Sequence, residues 1–244
     1  MPKSATEQQV PVAAETIETL RKVSTDTITG VLMKIAGMRS RAIREVRPID
    51  PRRCHFVGPA YTLRYVPIRE DYTANASPVS PGSRLHGRLD EIPAGSVLVL
   101  DMGGDTTSGA LGDVIIARLI ALGVVGVVAD GGMRDGSVIA QMALPVFARA
   151  AAPPPSPRSL LAAGAQEVIG CGGVMVEPGD VVVADGNGVA VVPRHLADEV
   201  ARKGIEQEEV EVWIKAQIES GAKLSGLYPP TDEVMARWRR ERGG

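Results

Sequence analysis

Asp113 is followed, after twenty intervening residues, by the adjacent pair Arg134 and Asp135. Two carboxylates and a guanidinium at that spacing can meet if the chain between them folds as a helix returning to a second strand. The residues support that reading. SVLVLD (Ser96 to Asp101) and VVGVVAD (Val124 to Asp130) are short Val-rich runs suited to buried parallel strands. Between them Leu111, Val114, Ile115, Leu119 and Leu122 recur at roughly helical spacing, and Gly123 stands where a helix ends. In a βαβ unit the start of the helix and the carboxyl end of the second strand share one sheet edge, so all three residues face one crevice.

The chemistry of that crevice follows from its residue types. The loop GGDTTSGALG (Gly103 to Gly112) carries four glycines into the helix start, where backbone N–H groups and the helix dipole favour an anion. Gly109, Ala110, Leu111 and Gly112 are therefore expected to line the substrate. Arg134 offers a planar fork for a carboxylate, while Asp113 and Asp135 are hard oxygen ligands suited to Mg²⁺ or Mn²⁺. A small oxo acid chelated to a divalent metal fits this set. Any one residue alone has a plainer reading, Asp113 as a helix-start charge and Arg134 with Asp135 as a surface ion pair.

The run GALGDVIIARLIALGVVGVVADGGMRD, with LPVFARA (Leu144 to Ala150) and GGVMVEPGDVVVADGNGVAVVP (Gly172 to Pro193), resembles a known family. It contains the regulator of ribonuclease activity A and the class II 4-hydroxy-4-methyl-2-oxoglutarate and 4-carboxy-4-hydroxy-2-oxoadipate aldolases. The resemblance covers roughly Ser24 to Tyr228. It implies a single α/β domain over residues 1–244, of the three-layer β/β/α swivelling type, with the βαβ unit at its centre and helical N- and C-terminal segments. The core would span about 24–194 and a C-terminal helix and arm about 194–244. By the same resemblance Arg134 holds a pyruvate-like carboxylate, Asp135 holds the metal, and the assembly is a homotrimer or dimer of trimers.

Departures from the pattern narrow the expectation. Some aldolases of the family carry an acid three positions after the Arg-Asp pair, where this chain has Val138, and glycine where it has Asp113. Regulator members often lack the aspartate that this chain keeps as Asp135. The expected activity is a metal-dependent lyase that cleaves a C–C bond of a small 2-oxo acid through a pyruvate enolate, Asp113 holding water for the final proton. The alternative is a non-catalytic regulator that binds a protein partner.

Composition excludes several other classes. A net charge of −2 and a pI near 6.0 argue against a nucleic-acid surface. No apolar run reaches membrane-spanning length, and the polar start MPKSATEQQ lacks a signal-peptide core, so a cytoplasmic protein is expected. Cys54 and Cys171 are far apart and read as free thiols, while His55, His86 and His195 form no zinc-binding spacing.

The remaining chain supplies the frame. Met1 to Pro11 reads as loose, followed by helices near Ala13 to Lys22 and Asp26 to Ala36, a strand near His55 to Pro67, and a polar loop from Tyr72 to Arg88 containing His86. Strands near Val174, Val181 and Val189 are expected to form a meander. A long helix, about Arg194 to Ser220, carries Glu206, Glu208, Glu209 and Glu211, one of which the resemblance would lend to a neighbouring site. Its apolar residues Val210, Trp213, Ile214 and Ile218, with SGLYPP (Ser225 to Pro230), are expected to meet a partner subunit. Arg237, Arg239, Arg240 and Arg242 read as a solvated tail.

Overall fold

Branched apolar side chains suit a pleated surface, and eleven strands occur among the residues described by the computed structural model, 11–69, 71 and 84–242. Four of them, β3 (Phe56–Pro67), β4 (Val97–Asp101), β5 (Gly126–Met133) and β6 (Val146–Ala151), lie side by side and parallel. The edge strand β2 (Arg47–Pro48) pairs antiparallel with β6. Beyond β3 the order continues through β10 (Val181–Asp185), β11 (Gly188–Val192) and β1 (Ala42–Ile43), all antiparallel. The second half of β3 also pairs antiparallel with β7 (Leu160–Ala165). This is an α/β fold with a mixed sheet.

Because β3 is twelve residues long, its two halves serve two parts of the sheet. One core cluster joins them: Phe56, Val97, Val99, Val128 and Phe147 pack with Val182, Ala184, Val189 and Val191. The hairpin of β8 (Ile169–Cys171) and β9 (Val174–Val176) seals the same cluster. Helices cover the other faces. The helices α1 (Ala14–Leu20), α2 (Thr25–Ala36) and α6 (Ala197–Glu219) pack on the half that contains β10 and β11. On the parallel half lie α3 (Arg84–Asp90) and α4 (Asp113–Ala121). The short α5 (Gly136–Ile139) follows β5, and α7 (Asp232–Arg242) ends the described chain.

Helix ends follow local chemistry. Ser24 accepts from the Thr27 amide at the start of α2, and Gly37, at φ 64°, closes it in the left-handed conformation. Gly123, at φ 78°, does the same after α4.

Three expectations are corrected. The strand near Val174 does not join a meander, because Gly172 and Gly173, both at positive φ, fold it back on β8. The arginine-rich end is not a solvated tail but helix α7, in which Arg239 pairs with Glu206 and Arg242 with Glu209. The expected loop Tyr72 to Arg88 ends in α3, while most of it, the His86 side chain and nearly all of Met1 to Pro11 lie outside the described residues.

Phe56 and Phe147 meet edge to face, 5.8 Å apart, where the two parts of the sheet close on each other. Phe147→Ala should therefore cost about 3–5 kcal/mol in chemical denaturation, whereas Val212→Ala, on the exposed side of α6, should stay within about 0.5 kcal/mol. Equal effects would show that the cluster joining the two parts of the sheet does not carry the stability.

Candidate active site at the end of β5

The loop from Met102 to Gly112 is laid directly on the carboxyl end of β5. Gly132 N donates to Asp105 O at 2.9 Å, Ala110 N to Gly132 O at 3.0 Å and Arg134 N to Leu111 O at 3.0 Å. Such proximity demands glycine. A Cβ on Gly132 would stand 2.4 Å from Ser108 O, and one on Gly109 would stand 2.5 Å from Arg134 Cγ and 2.7 Å from Ala152 O.

A polar cluster fixes the loop before it reaches the site. Asp105 accepts from the Thr107 amide and hydroxyl, both at 2.7 Å, and from the hydroxyl of Ser159, which also meets the fully buried Ser108. Burial raises the Asp105 pKa, but the hydrogen bonds from Ser159, Thr107 and Ser108 outweigh it and hold the carboxyl below its usual value.

Two of the three residues singled out by spacing, Asp113 and Asp135, meet directly, and Arg134 adjoins Asp135 in the chain. Asp135 has φ 51° and ψ 31°, a left-handed conformation that turns its carboxylate back toward the start of α4. There Asp113 N donates to Asp135 Oδ2 at 3.3 Å, and the Asp113 side chain folds onto the same helix end, accepting from Val114 N at 2.8 Å. Both negative charges sit at the positive end of the helix dipole. The second oxygen of each carboxylate has no partner among the described residues.

Arg134 is half-buried, and its Nε is buried without a hydrogen-bond partner. The surface ion pair with Asp135 considered from sequence is absent among the described residues. An unpartnered buried donor on a cation is costly unless an anion completes it.

Two details differ from expectation. The amides of Gly109 and Ala110 are engaged by Pro154 O and Gly132 O, so of the four expected to line the substrate only those of Leu111 and Gly112 are without an acceptor among the described residues. The acidic stretch of α6 is also engaged within the chain: Glu206 and Glu209 pair with α7, Glu208 accepts from the Ser24 amide and hydroxyl, and Glu211 accepts from Gln207. Val210, Trp213, Ile214 and Ile218 likewise pack against α7, with Trp213 Nε1 donating to Glu241. These four side chains face α7 of their own chain.

With this geometry in place, the family can be stated. A family model described as RraA-like, Aldolase/RraA, matches residues 14–191. The chain belongs to the RraA-like family. Among solved structures, it superposes on Streptomyces coelicolor RraAS2, an unusual member of the RNase ES inhibitor RraA family, with TM-score 0.76 at 28% identity, covering 85% of this chain and 98% of that one. An uncharacterized Pseudomonas syringae protein gives TM-score 0.76 at 26% identity over 89% of this chain and 98% of that one.

Among curated relatives, protein DlpA of Legionella pneumophila is 28% identical over 83% of this chain and 34% of its own length. A Halalkalibacterium halodurans protein, provisionally named 4-hydroxy-4-methyl-2-oxoglutarate aldolase, is 34% identical over 46% of this chain and 53% of its own. The chain thus spans about a third to a half of these two relatives.

Sequence reasoning missed one part of this RraA-like site. A groove of about 800 Å³ leads from Arg134 and Asp135 over β6 to Arg47 on β2. A two-residue edge strand gives no periodic signal, so nothing in the sequence marked Arg47.

Gly112 offers a direct probe of the geometry. A Cβ there would lie 2.4 Å from Asp135 Oδ2, a movable carboxylate, whereas on Gly109 it would strike backbone. Gly109→Ala should cost about 1–3 kcal/mol of stability. Gly112→Ala should cost less and instead weaken Mg²⁺ binding, read by calorimetry. Unchanged Mg²⁺ affinity in Gly112→Ala would show that the Asp135 carboxylate is not held at this position.

Proposed function

We propose that this RraA-like protein is a divalent-metal-dependent lyase acting on a small 2-oxo acid, like the 4-hydroxy-4-methyl-2-oxoglutarate aldolases, and that it also decarboxylates oxaloacetate. The observation that carries the reading is the pairing of an unpartnered, half-buried Arg134 with two carboxylates gathered at one helix start.

The residues fit a metal of the expected kind. No group of three or more His, Cys, Asp or Glu side chains with metal-binding geometry occurs among the described residues. Asp135 and Asp113 together offer one open oxygen each, which suits Mg²⁺ or Mn²⁺, cations that keep several waters and use one or two carboxylates. When bound, the metal would supply Lewis-acid polarisation of the 2-oxo group.

The chain's own groups account for the rest. Arg134 receives the substrate carboxylate in a two-point clamp and draws electron density from the adjacent 2-oxo carbon. As the C3–C4 bond breaks, its electron pair passes into a pyruvate enolate, while the 4-hydroxyl of an aldol substrate loses its proton and becomes a carbonyl. With oxaloacetate the departing group is CO₂. The amides of Leu111 and Gly112 and the positive end of α4 favour the developing negative charge. Asp113, through a water on its open oxygen, takes the hydroxyl proton and returns one to the enolate carbon.

The site edge is open in one chain. Val114 is 79% exposed and Val138 46% exposed, on the two helices flanking Asp135. In this reading a neighbouring subunit of a homotrimer, or of a dimer of trimers, covers them and excludes water from the enolate.

The likeness to RraAS2 favours a second reading, a non-catalytic regulator of a ribonuclease. Release of pyruvate from oxaloacetate, stopped by EDTA and restored by Mg²⁺, supports the lyase; its absence supports the regulator. Within the lyase, Asp135→Asn should lower turnover at least about a hundredfold with little change in melting temperature, since Asn tolerates the left-handed backbone. Arg134→Lys keeps the charge but loses the fork, so kcat/KM should fall at least about tenfold. Wild-type kinetics in either variant would remove that residue from the role.

A further inference from the structure

Two arginines without ion-pair partners among the described residues border the same groove. Arg134 stands at one end, Arg47 at the other, and the floor between them is the alanine-rich strand β6. Arg149 also lines the wall, but Asp130 and Glu45 neutralise it. Arg47 has no such neighbour: it is exposed, and its Nη1 donates only to the carbonyl of Val46, at 3.0 Å.

Strand register sets the relation of the two cations. Arg47 stands opposite Ala148, and Met133 stands opposite Ala151, which places Arg134 level with Ala152. Ala148 and Ala152 are an even number of residues apart, so the positions paired with them project to one face. Four residues of rise and two strand spacings separate the Cα atoms of Arg47 and Arg134 by roughly 16 Å. Standing on one face, the two side chains hold their guanidinium groups apart by a distance of that order. A five-carbon diacid with a guanidinium–carboxylate contact at each end spans roughly 13 Å, which such a separation accommodates.

We propose that Arg47 is a specificity-determining residue that receives a second carboxylate of the substrate, so that the groove selects dianionic 2-oxo acids over monoanionic ones. The proposal rests on the lyase reading only for Arg134 as the first anchor. The floor offers small apolar side chains, which contact a carbon chain and leave both charged ends to the arginines. A monoanion bound at Arg134 leaves Arg47 in solvent. Because Arg47 is exposed, its contribution is screened and should fall as ionic strength rises.

Calorimetry with 2-oxoglutarate and 2-oxobutyrate, in Mg²⁺, compares a diacid with a monoacid on the full chain. The wild type should prefer the diacid by about tenfold or more at low salt, and by less at high salt. Arg47→Gln should abolish the preference without changing the affinity for 2-oxobutyrate, and Arg47→Lys should restore part of it. Equal affinities in the wild type, no binding of either acid, or an equal loss for both in Arg47→Gln would overturn the proposal. A diacid preference that depends on Arg47, in a wild type that releases no pyruvate from oxaloacetate, would leave this proposal standing and sink the lyase reading.

Discussion

Backbone lies against backbone where the loop Met102 to Gly112 crosses the end of β5, and the rest of the site is arranged around that contact. Side chains are excluded at Gly109 and Gly132 by gaps of 2.4 to 2.7 Å to neighbouring atoms. The contact fixes the start of α4 against Arg134 and Asp135. It is held from behind by Asp105, Ser108 and Ser159, a partly buried polar cluster whose members satisfy one another. Close packing of this kind positions charges more firmly than a mobile loop would, at the cost of accepting only glycine at the crossing points.

Two unfavourable features persist at the same place. Asp135 holds a left-handed backbone that a non-glycine residue adopts at some cost, and Arg134 buries a donor that nothing among the described residues satisfies. A structure that needed only stability would relieve both. Their coincidence beside two carboxylates, at the positive end of a helix, is the physical basis for reading the crevice as a site for an anion and a cation together.

The sequence made the βαβ unit legible because its signals are local. Valine runs mark β4 and β5, apolar spacing marks α4, and Gly123 marks its end, so that the meeting of Asp113 with Asp135 follows from topology. The parts that escaped depend on distant partners. Glu206 and Glu209 look like a free acidic face until α7 folds back on them, and nothing local in the sequence tells that Trp213 meets Glu241 and the apolar side of α7. The amides of Gly109 and Ala110 look available until Pro154 O and Gly132 O are placed. Arg47 could not be seen at all, since its strand is two residues long and gains its place only by pairing with β6.

The central claim is that Arg134 and the two carboxylates generate a pyruvate enolate, and the most direct measurement is exchange of the pyruvate methyl protons with deuterium oxide, followed by proton NMR. This requires neither a cleavable substrate nor knowledge of the physiological one. The wild type with Mg²⁺ should exchange the methyl protons well above the uncatalysed rate, and EDTA should bring the rate back to background. Exchange at the background rate with Mg²⁺ present, in a protein shown by calorimetry to bind pyruvate, would contradict the account.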